Sequence, residues 1–283
     1  MTMQDIDYKK TKTRLDGRKM NELRPLSIEV GVIPNAQGSA YLEWGQNKVY
    51  AAVYGPREAL PKHTANSLKA VVKVEYRMVS FSVPDRKRPG PNRRDQEISK
   101  VLGEALDHAI FTEQFPNTEI GVYVEVIDSN AGSRVACLAA ASCALADAGI
   151  PMKDLVSATG VGKAYGEIIL DLNKDEEDAP DAVDIPIAIM PNSKEIVLLQ
   201  MDGPLTRKEW DSVAKLGMEG CMQVYEVQKA ALAKKYEIGE ALVNGKKIAK
   251  AENKTESKVE NKTTDKKEDK KSSAKTTKKK VKK

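Results

Sequence analysis

Alternation of apolar and other residues marks the first third of the chain and predicts β-strands there. The pattern covers residues 26–33, 39–45, 48–55 and 69–79. Residues 45–47 (Gly-Gln-Asn) make a short turn between the second and third of these segments. We therefore predict an antiparallel sheet at the start of the chain.

Two later segments have the pattern of helices. In the first, apolar residues recur every three or four positions after Asn92, whose side chain can cap the helix, and Asp95 lies in the first turn. A strand at residues 120–127 follows. The second helix covers residues 135–148, which are almost all small and apolar, and it stops at Gly149.

The second half of the chain again places strands before a helix. A long helix begins near Thr206, with Glu209 as its capping-box partner, and ends near Tyr236. The elements predicted before it are two strands within residues 155–172, broken near residues 160–166, an acidic turn at residues 173–181, and strands at residues 183–190 and 195–201.

The charge of the chain is concentrated at its C-terminus. Residues 244–283 contain 16 lysines and 6 acidic residues, so the net charge of +5 for the chain becomes −5 for residues 1–243. This tail has almost no apolar residues, which predicts disorder. It either holds polyanions weakly or only keeps the chain soluble.

The remaining composition indicates a soluble intracellular protein, and we expect it in the cytoplasm without a membrane partner. No run of about 18 apolar residues and no secretory pattern occurs. The cysteines Cys137, Cys143 and Cys221 are odd in number, and two lie in the small-residue helix, so we expect core residues and not disulfides or metal ligands.

The segment 128–134 (DSNAGSR) joins a predicted strand to the small-residue helix. Ser133 can cap this helix, and the first-turn N–H groups are unpaired at the positive end of the helix dipole. Arg134 adds a cation where the dipole favours an anion, which a bound anion would explain. An ordinary turn with an exposed arginine is the alternative interpretation.

A second predicted helix also begins with cationic residues. Arg93 and Arg94 open the helix after Asn92, where cations are unfavourable unless an anion is bound nearby. The preceding run Arg86–Arg88 is basic as well, and for it a solvated charge run is a fair alternative.

Carboxylates are a second group of candidate functional residues, besides the arginines at the helix starts. Asp184 lies among apolar residues of a predicted strand, where a carboxylate usually has a partner or a function, and the acidic turn precedes it. No P-loop, nucleophile elbow or zinc helix is present. Cationic helix starts combined with carboxylates favour phosphate chemistry with a divalent metal.

Four segments resemble the RNase PH family, and within it the catalytic RNase PH-like subunits of archaeal exosomes. The likeness extends over residues 8–238. Its most specific parts are PGPNRRDQEISK at residues 89–100, DSNAGSRVACLAAASCALADAGIPM at 128–152, VGKAYGEIILDLN at 161–173, and residues 178–190.

The resemblance implies a mixed α/β (α+β) fold of the RNase PH type. Residues 1–243 would form the catalytic domain, in two similar β-α halves at about 14–150 and 151–240, followed by the tail. The implied reaction is reversible 3′ to 5′ phosphorolysis of RNA. The implied partners are single-stranded RNA 3′ ends, a homologous non-catalytic subunit in a hexameric ring (a trimer of heterodimers), and RNA-binding cap proteins.

The resemblance also implies roles for individual residues. Asp178 matches the catalytic aspartate, and Asp184, six residues later, matches a second carboxylate that positions Mg²⁺ or Mn²⁺. The acidic turn is one residue longer before Asp178 than in relatives, which leaves Asp175 and Asp181 as alternatives. The matched positions for inorganic phosphate are Arg94, Gly132, Ser133 and Arg134, and those for RNA are Lys62, His63, Arg86 and Arg93.

Two other functions remain open at this point. One is a homohexameric RNase PH that trims tRNA 3′ ends. The other is a non-catalytic ring subunit that only binds RNA, against which the joint presence of Arg94, Ser133, Arg134, Asp178 and Asp184 argues.

Overall fold

The computed structural model describes residue 14, residues 16–90 and residues 92–243, with side chains as far as residue 235. The prediction of disorder for the lysine-rich tail falls on residues 244–283, which lie outside these residues. The chain divides into two units after Leu232. Both sheets lie in the first unit, and the described part of the second is the end of the last helix.

The first sheet has five strands in the order β1-β2-β3-β5-β4. All neighbours are antiparallel except β4 and β5, which are parallel. The prediction of an antiparallel sheet is confirmed for β1, β2 and β3, and it was wrong for β4. The reason is helix α1 (Arg93–Ala109), since parallel strands require a crossover connection. The strands are β1 (Leu26–Val30), β2 (Gly38–Trp44), β3 (Asn47–Glu58), β4 (Val71–Met78) and β5 (Thr118–Asp128).

The second sheet has four antiparallel strands in the order β7-β6-β8-β9. The break in the predicted double strand falls at Tyr165 and Gly166, and the acidic turn contains a single helical turn, α3 (Lys174–Glu177). The strands are β6 (Ser157–Ala164), β7 (Glu167–Leu170), β8 (Val183–Met190) and β9 (Glu195–Leu199), and helix α4 (Arg207–Val243) follows.

Helix α2 (Ser133–Asp147) lies at the centre of the core. It packs on β2 and β3 of the first sheet and on β6 of the second. Every residue from Val135 to Leu145 is buried, including Cys137 and Cys143. Small side chains allow both sheets to approach the helix, which explains its composition. All three cysteines are buried and free, as predicted.

Among the described residues, no helix has the length and apolar character needed to cross a membrane.

A buried ionic network joins the N-terminal segment to the rest of the protein. The Asp171 carboxylate accepts hydrogen bonds from Arg24 Nη2 (2.6 Å) and Nε (3.0 Å), and Trp44 Nε1 donates to it at 2.9 Å. Arg18 Nη1 lies 3.4 Å from the same carboxylate. Asp171 is 1% exposed, so its charge depends on these donors for stabilisation.

We predict that Asp171→Asn lowers the free energy of unfolding by about 3–5 kcal/mol, because it leaves the buried Arg24 cation without its counter-charge. Asparagine tolerates the left-handed conformation of Asp171, where φ is 57°, so backbone strain is not part of this loss. The measurement is urea denaturation of the isolated chain.

The control for this variant is Glu104→Gln. Glu104 forms an exposed pair with Lys100, so the expected change is within about 0.5 kcal/mol. A loss at Asp171 of less than about 1 kcal/mol would contradict the assigned role of the network.

Candidate active site

A cleft of about 670 Å³ lies where the starts of α1 and α2 meet the acidic turn and β8. Cationic and acidic side chains line it together, so it can receive an anion and a cation at once. The charged residues that line it include Arg94, Arg134, Lys174, Glu177, Asp184 and Asp202.

Helix α1 presents its arginines as the sequence predicts. Asn92 is the N-cap, and its side chain accepts a hydrogen bond from the Asp95 backbone N–H at 2.9 Å. Lys87 Nζ lies 3.2 Å from the Asp95 carboxylate and ties the preceding loop to the helix. Arg93 and Arg94 are both exposed, and of the two only Arg94 lines the cleft.

Helix α2 begins differently from the prediction. The N-cap is Gly132, with a φ of 68°, and Ala131 before it also has a positive φ. Ser133 is the first helical residue, and its buried hydroxyl pairs with the Tyr76 hydroxyl at 3.1 Å. The prediction that Ser133 caps the helix was therefore wrong, because two left-handed residues move the cap to Gly132 and direct Ser133 into the core.

Arg134 is held in the cleft by two polar side chains. Its Nη1 donates to the Gln200 side chain, and its Nη2 donates to Glu97 Oε1 at 3.2 Å. The Nε–H group is buried and has no hydrogen-bond partner among the described residues. The Arg94 side chain forms no salt bridge with any of the described residues. The cleft thus contains cationic donors that an anion could satisfy.

Asp184 faces these arginines from β8. Its strand neighbour is Gly162 of β6, and its backbone exchanges hydrogen bonds with Asp202 at 3.2 and 2.9 Å. Burial raises the pKa of the Asp184 carboxyl, and the charge of Asp202 adds to this, while Arg134 and Arg94 act in the opposite direction.

The acidic turn places Glu177 in the cleft, and not Asp178. Asp178 follows α3 as its C-cap, is exposed, and pairs with Lys174 Nζ at 2.6 Å. Glu177 is half-buried and lines the cleft. Burial, followed by the charge of Asp184, raises the pKa of Glu177 to about 7, and a backbone hydrogen bond from Gly132 acts in the opposite direction.

The two alternative aspartates of the turn also lie outside the cleft. Asp175 is exposed. Asp181 accepts hydrogen bonds from the backbone N–H groups of Tyr165 (2.9 Å) and Gly166 (2.6 Å), so it holds the β6–β7 turn. Glu177 was not among the residues predicted for the site, although the extra residue of the turn was a signal that the facing carboxylate could differ.

The four residues predicted to contact RNA are all exposed and none lines the cleft. Lys62 and His63 lie in a short 3₁₀ turn, where Lys62 Nζ is 3.4 Å from Glu58. Arg86 lines a separate shallow groove beside Phe81. Their roles in RNA binding stay predictions.

The carboxylates of the cleft suit a metal that phosphate helps to bind. In the described part of the chain, no group of three or more His, Cys, Asp or Glu side chains forms a metal site. Mg²⁺ often takes only one or two carboxylates together with substrate phosphate oxygens. Asp184 and Glu177 beside Arg94 and Arg134 fit that donor set.

Comparison with known proteins identifies the family. Residues 22–151 match domain 1 of the RNase PH 3′ exoribonuclease family, and residues 154–220 match its domain 2. The crystal structure of rice (Oryza sativa) Rrp46 is similar, with a TM-score of 0.70 and 27% identity over 78% of this chain and 100% of that chain. The predicted α/β fold of the RNase PH type is confirmed.

Curated relatives are similar over most of their length. The "Exosome complex component Rrp41" of Thermococcus onnurineus is 54% identical over 82% of this chain and 93% of that protein. The protein of the same name from Pyrococcus abyssi is 56% identical over 79% and 89%, and that of Thermoplasma volcanium is 54% identical over 80% and 90%. The chain therefore belongs to the RNase PH family of 3′ exoribonucleases.

Proposed function

We propose that this protein is the catalytic RNase PH-like subunit of an archaeal exosome. It shortens RNA from the 3′ end by phosphorolysis, releases nucleoside diphosphates, and runs backward as a 3′ tailing reaction when phosphate is scarce. Family membership and the names of the relatives support the activity and the assembly. The cleft supports the choice of phosphate as the attacking group.

The observation that carries this proposal is the buried Arg134 Nε–H group without a partner among the described residues. An unmade hydrogen bond on a buried donor costs about 1–3 kcal/mol, and more on a charged group. Inorganic phosphate can accept from this group and from Arg94, and it would lie near the N-terminus of α2, where the helix dipole favours an anion. We assign the side chains of Arg94 and Arg134, which line the cleft, to phosphate. We also assign to it the backbone at Gly132 and Ser133, because the Ser133 hydroxyl pairs with Tyr76.

The chemistry follows from this placement. A phosphate oxygen attacks the phosphorus of the terminal phosphodiester, and the bond from that phosphorus to the 3′ oxygen of the shortened RNA breaks. The proton of the attacking hydrogen phosphate ends on the departing 3′ oxygen, so charge and atoms balance. Arg94 and Arg134 orient the nucleophile and stabilise the charge on its oxygens.

A divalent cation, Mg²⁺ or Mn²⁺, completes the proposed site. Asp184 and a carboxylate of the acidic turn would hold it together with phosphate oxygens. When bound, such a cation neutralises negative charge on the phosphoryl oxygens.

RNA and protein partners would use exposed surfaces. Lys62, His63, Arg86 and Arg93 are exposed and suit contacts with RNA phosphates. Strand β9 is an edge strand, and Ile196 on it is 49% exposed, which favours association with another chain. The partner that we assign to this edge is a homologous non-catalytic subunit. The two kinds of subunit would form a hexameric ring that also binds RNA-binding cap proteins. Free buried thiols suit the reducing cytoplasm.

Phosphate dependence tests the proposed reaction. Tagged protein purified from its own cells with its partners is expected to degrade RNA only when phosphate is added, and to release nucleoside diphosphates. Release of monophosphates, or degradation without phosphate, would exclude phosphorolysis. Activity of a ring formed by the chain alone would favour the homohexameric RNase PH, and inactivity of the complete complex would favour a non-catalytic subunit.

Arg134→Lys tests the assigned phosphate contact. Lysine keeps the charge but loses the planar fork and the Nε–H donor, and a hydrogen bond to a charged group contributes about 1.5–3 kcal/mol. We expect kcat/KM for phosphate to fall roughly 10- to 100-fold. Arg57→Lys, on an exposed arginine outside the cleft, is the matched control and should stay near wild type. An unchanged kcat/KM for phosphate in Arg134→Lys would remove this residue from the phosphate site.

A further inference from the structure

The acidic turn has five carboxylates, and the structure gives each of them a different environment. Glu176 is fully buried and its carboxylate pairs with Arg14. Asp181 holds the β6–β7 turn, Asp175 is exposed, and Asp178 pairs with Lys174 in solvent. Of the carboxylates in this turn, Glu177 alone lines the cleft.

Helical geometry explains which carboxylate faces the cleft. Successive residues of an α-helix are rotated by about 100°. The Arg14 Nε donates to Glu176 Oε1 at 2.7 Å and fixes Glu176 toward the interior. Glu177 is then turned to the side of the helix that faces the cleft, and Asp178 is turned further, to the solvent side near Lys174.

Glu177 is also the carboxylate of the turn that lies among the other groups of the site. Lys174, Arg94 and Asp184 line the same cleft, and a hydrogen bond joins Glu177 to the Gly132 backbone. These neighbours include one arginine of the proposed phosphate site and the N-cap of α2. Asp178, by contrast, is 63% exposed at its side chain and pairs with Lys174, four residues earlier.

We propose that Glu177, and not Asp178, is the acidic-turn carboxylate that acts with Asp184 on the attacking phosphate and its divalent cation. This inference rests on the proposed phosphorolysis and names a residue of the same site. Glu177 and Asp184 supply two carboxylates to a divalent cation, and Mg²⁺ usually binds through one or two carboxylates together with phosphate oxygens. Asp178 belongs to the exposed rim of the turn.

The experiment compares Glu177→Gln with Asp178→Asn, since each removes one negative charge from adjacent positions without changing the side-chain size. Asp211→Asn, at an exposed position of α4 outside the cleft, is the control. Two quantities are measured on the assembled complex: release of nucleoside diphosphate from RNA, and binding of Mn²⁺ in the presence of inorganic phosphate, followed by electron paramagnetic resonance.

We expect Glu177→Gln to lower phosphorolysis roughly 100-fold or more and to weaken Mn²⁺ binding at least about tenfold, because a ligand and its charge are lost. Asp178→Asn should reduce both quantities far less, and Asp211→Asn should match wild type. Wild-type phosphorolysis and Mn²⁺ binding in Glu177→Gln would overturn the proposal.

Thermal melting will report whether Glu177→Gln folds. If it does not fold, Asp178→Asn still tests the proposal. The exposed position of Asp178 makes its variant structurally mild. A loss of about 100-fold in Asp178→Asn overturns the assignment to Glu177, and retained activity supports it. If the wild-type complex has no phosphate-dependent activity, the proposed function is contradicted. The role of Glu177 is then decided by comparing Mn²⁺ binding between the wild type and Glu177→Gln.

Discussion

The geometry of the cleft depends on the buried carboxylate of Asp171. Arg24 binds this carboxylate and also donates to the backbone carbonyl oxygens of Asn130 and Ala131, which precede the start of α2. The network therefore connects the N-terminal segment to the loop that presents Gly132. Because buried charges are stable only when paired and hydrogen-bonded, the loop position is fixed by the same interaction that stabilises the fold.

The same N-terminal segment also fixes the opposite wall of the cleft. Arg14 pairs with Glu176 in α3 and donates to the backbone carbonyl oxygens of Leu170 and Asp171 at 2.7 Å each. Two arginines ten residues apart, Arg14 and Arg24, thus hold the acidic turn and the loop that precedes Gly132. The distance between the proposed phosphate position and the carboxylates is set by a segment that does not line the cleft.

The charges of the cleft lie at positions that are unfavourable within the chain itself. Arg94 and Arg134 lie at helix starts, where the helix dipole disfavours cations, and burial raises the pKa values of Asp184 and Glu177. A phosphate and a divalent cation together would relieve both costs. This balance argues for a site that binds two ligands of opposite charge.

The sequence predicted most elements because their signals are local. The Asn92 cap, the small-residue helix and the Thr206–Glu209 capping box depend on residues within one or two turns, and each was found in the structure. The parallel pairing of β4 with β5 was missed, because it depends on contacts across a crossover of about forty residues. Periodicity cannot specify such a pairing.

The acidic turn shows the same limit within the site. The sequence places a carboxylate there, but which one faces the cleft depends on the rotation of a single helical turn. That rotation is fixed by the Arg14–Glu176 pair, whose partners are 162 residues apart. A resemblance matched position by position assigns the role to Asp178, whereas the long-range pair turns Glu177 toward Asp184. Under the proposed assignment, one additional residue in the turn moves the role from Asp178 to the neighbouring Glu177.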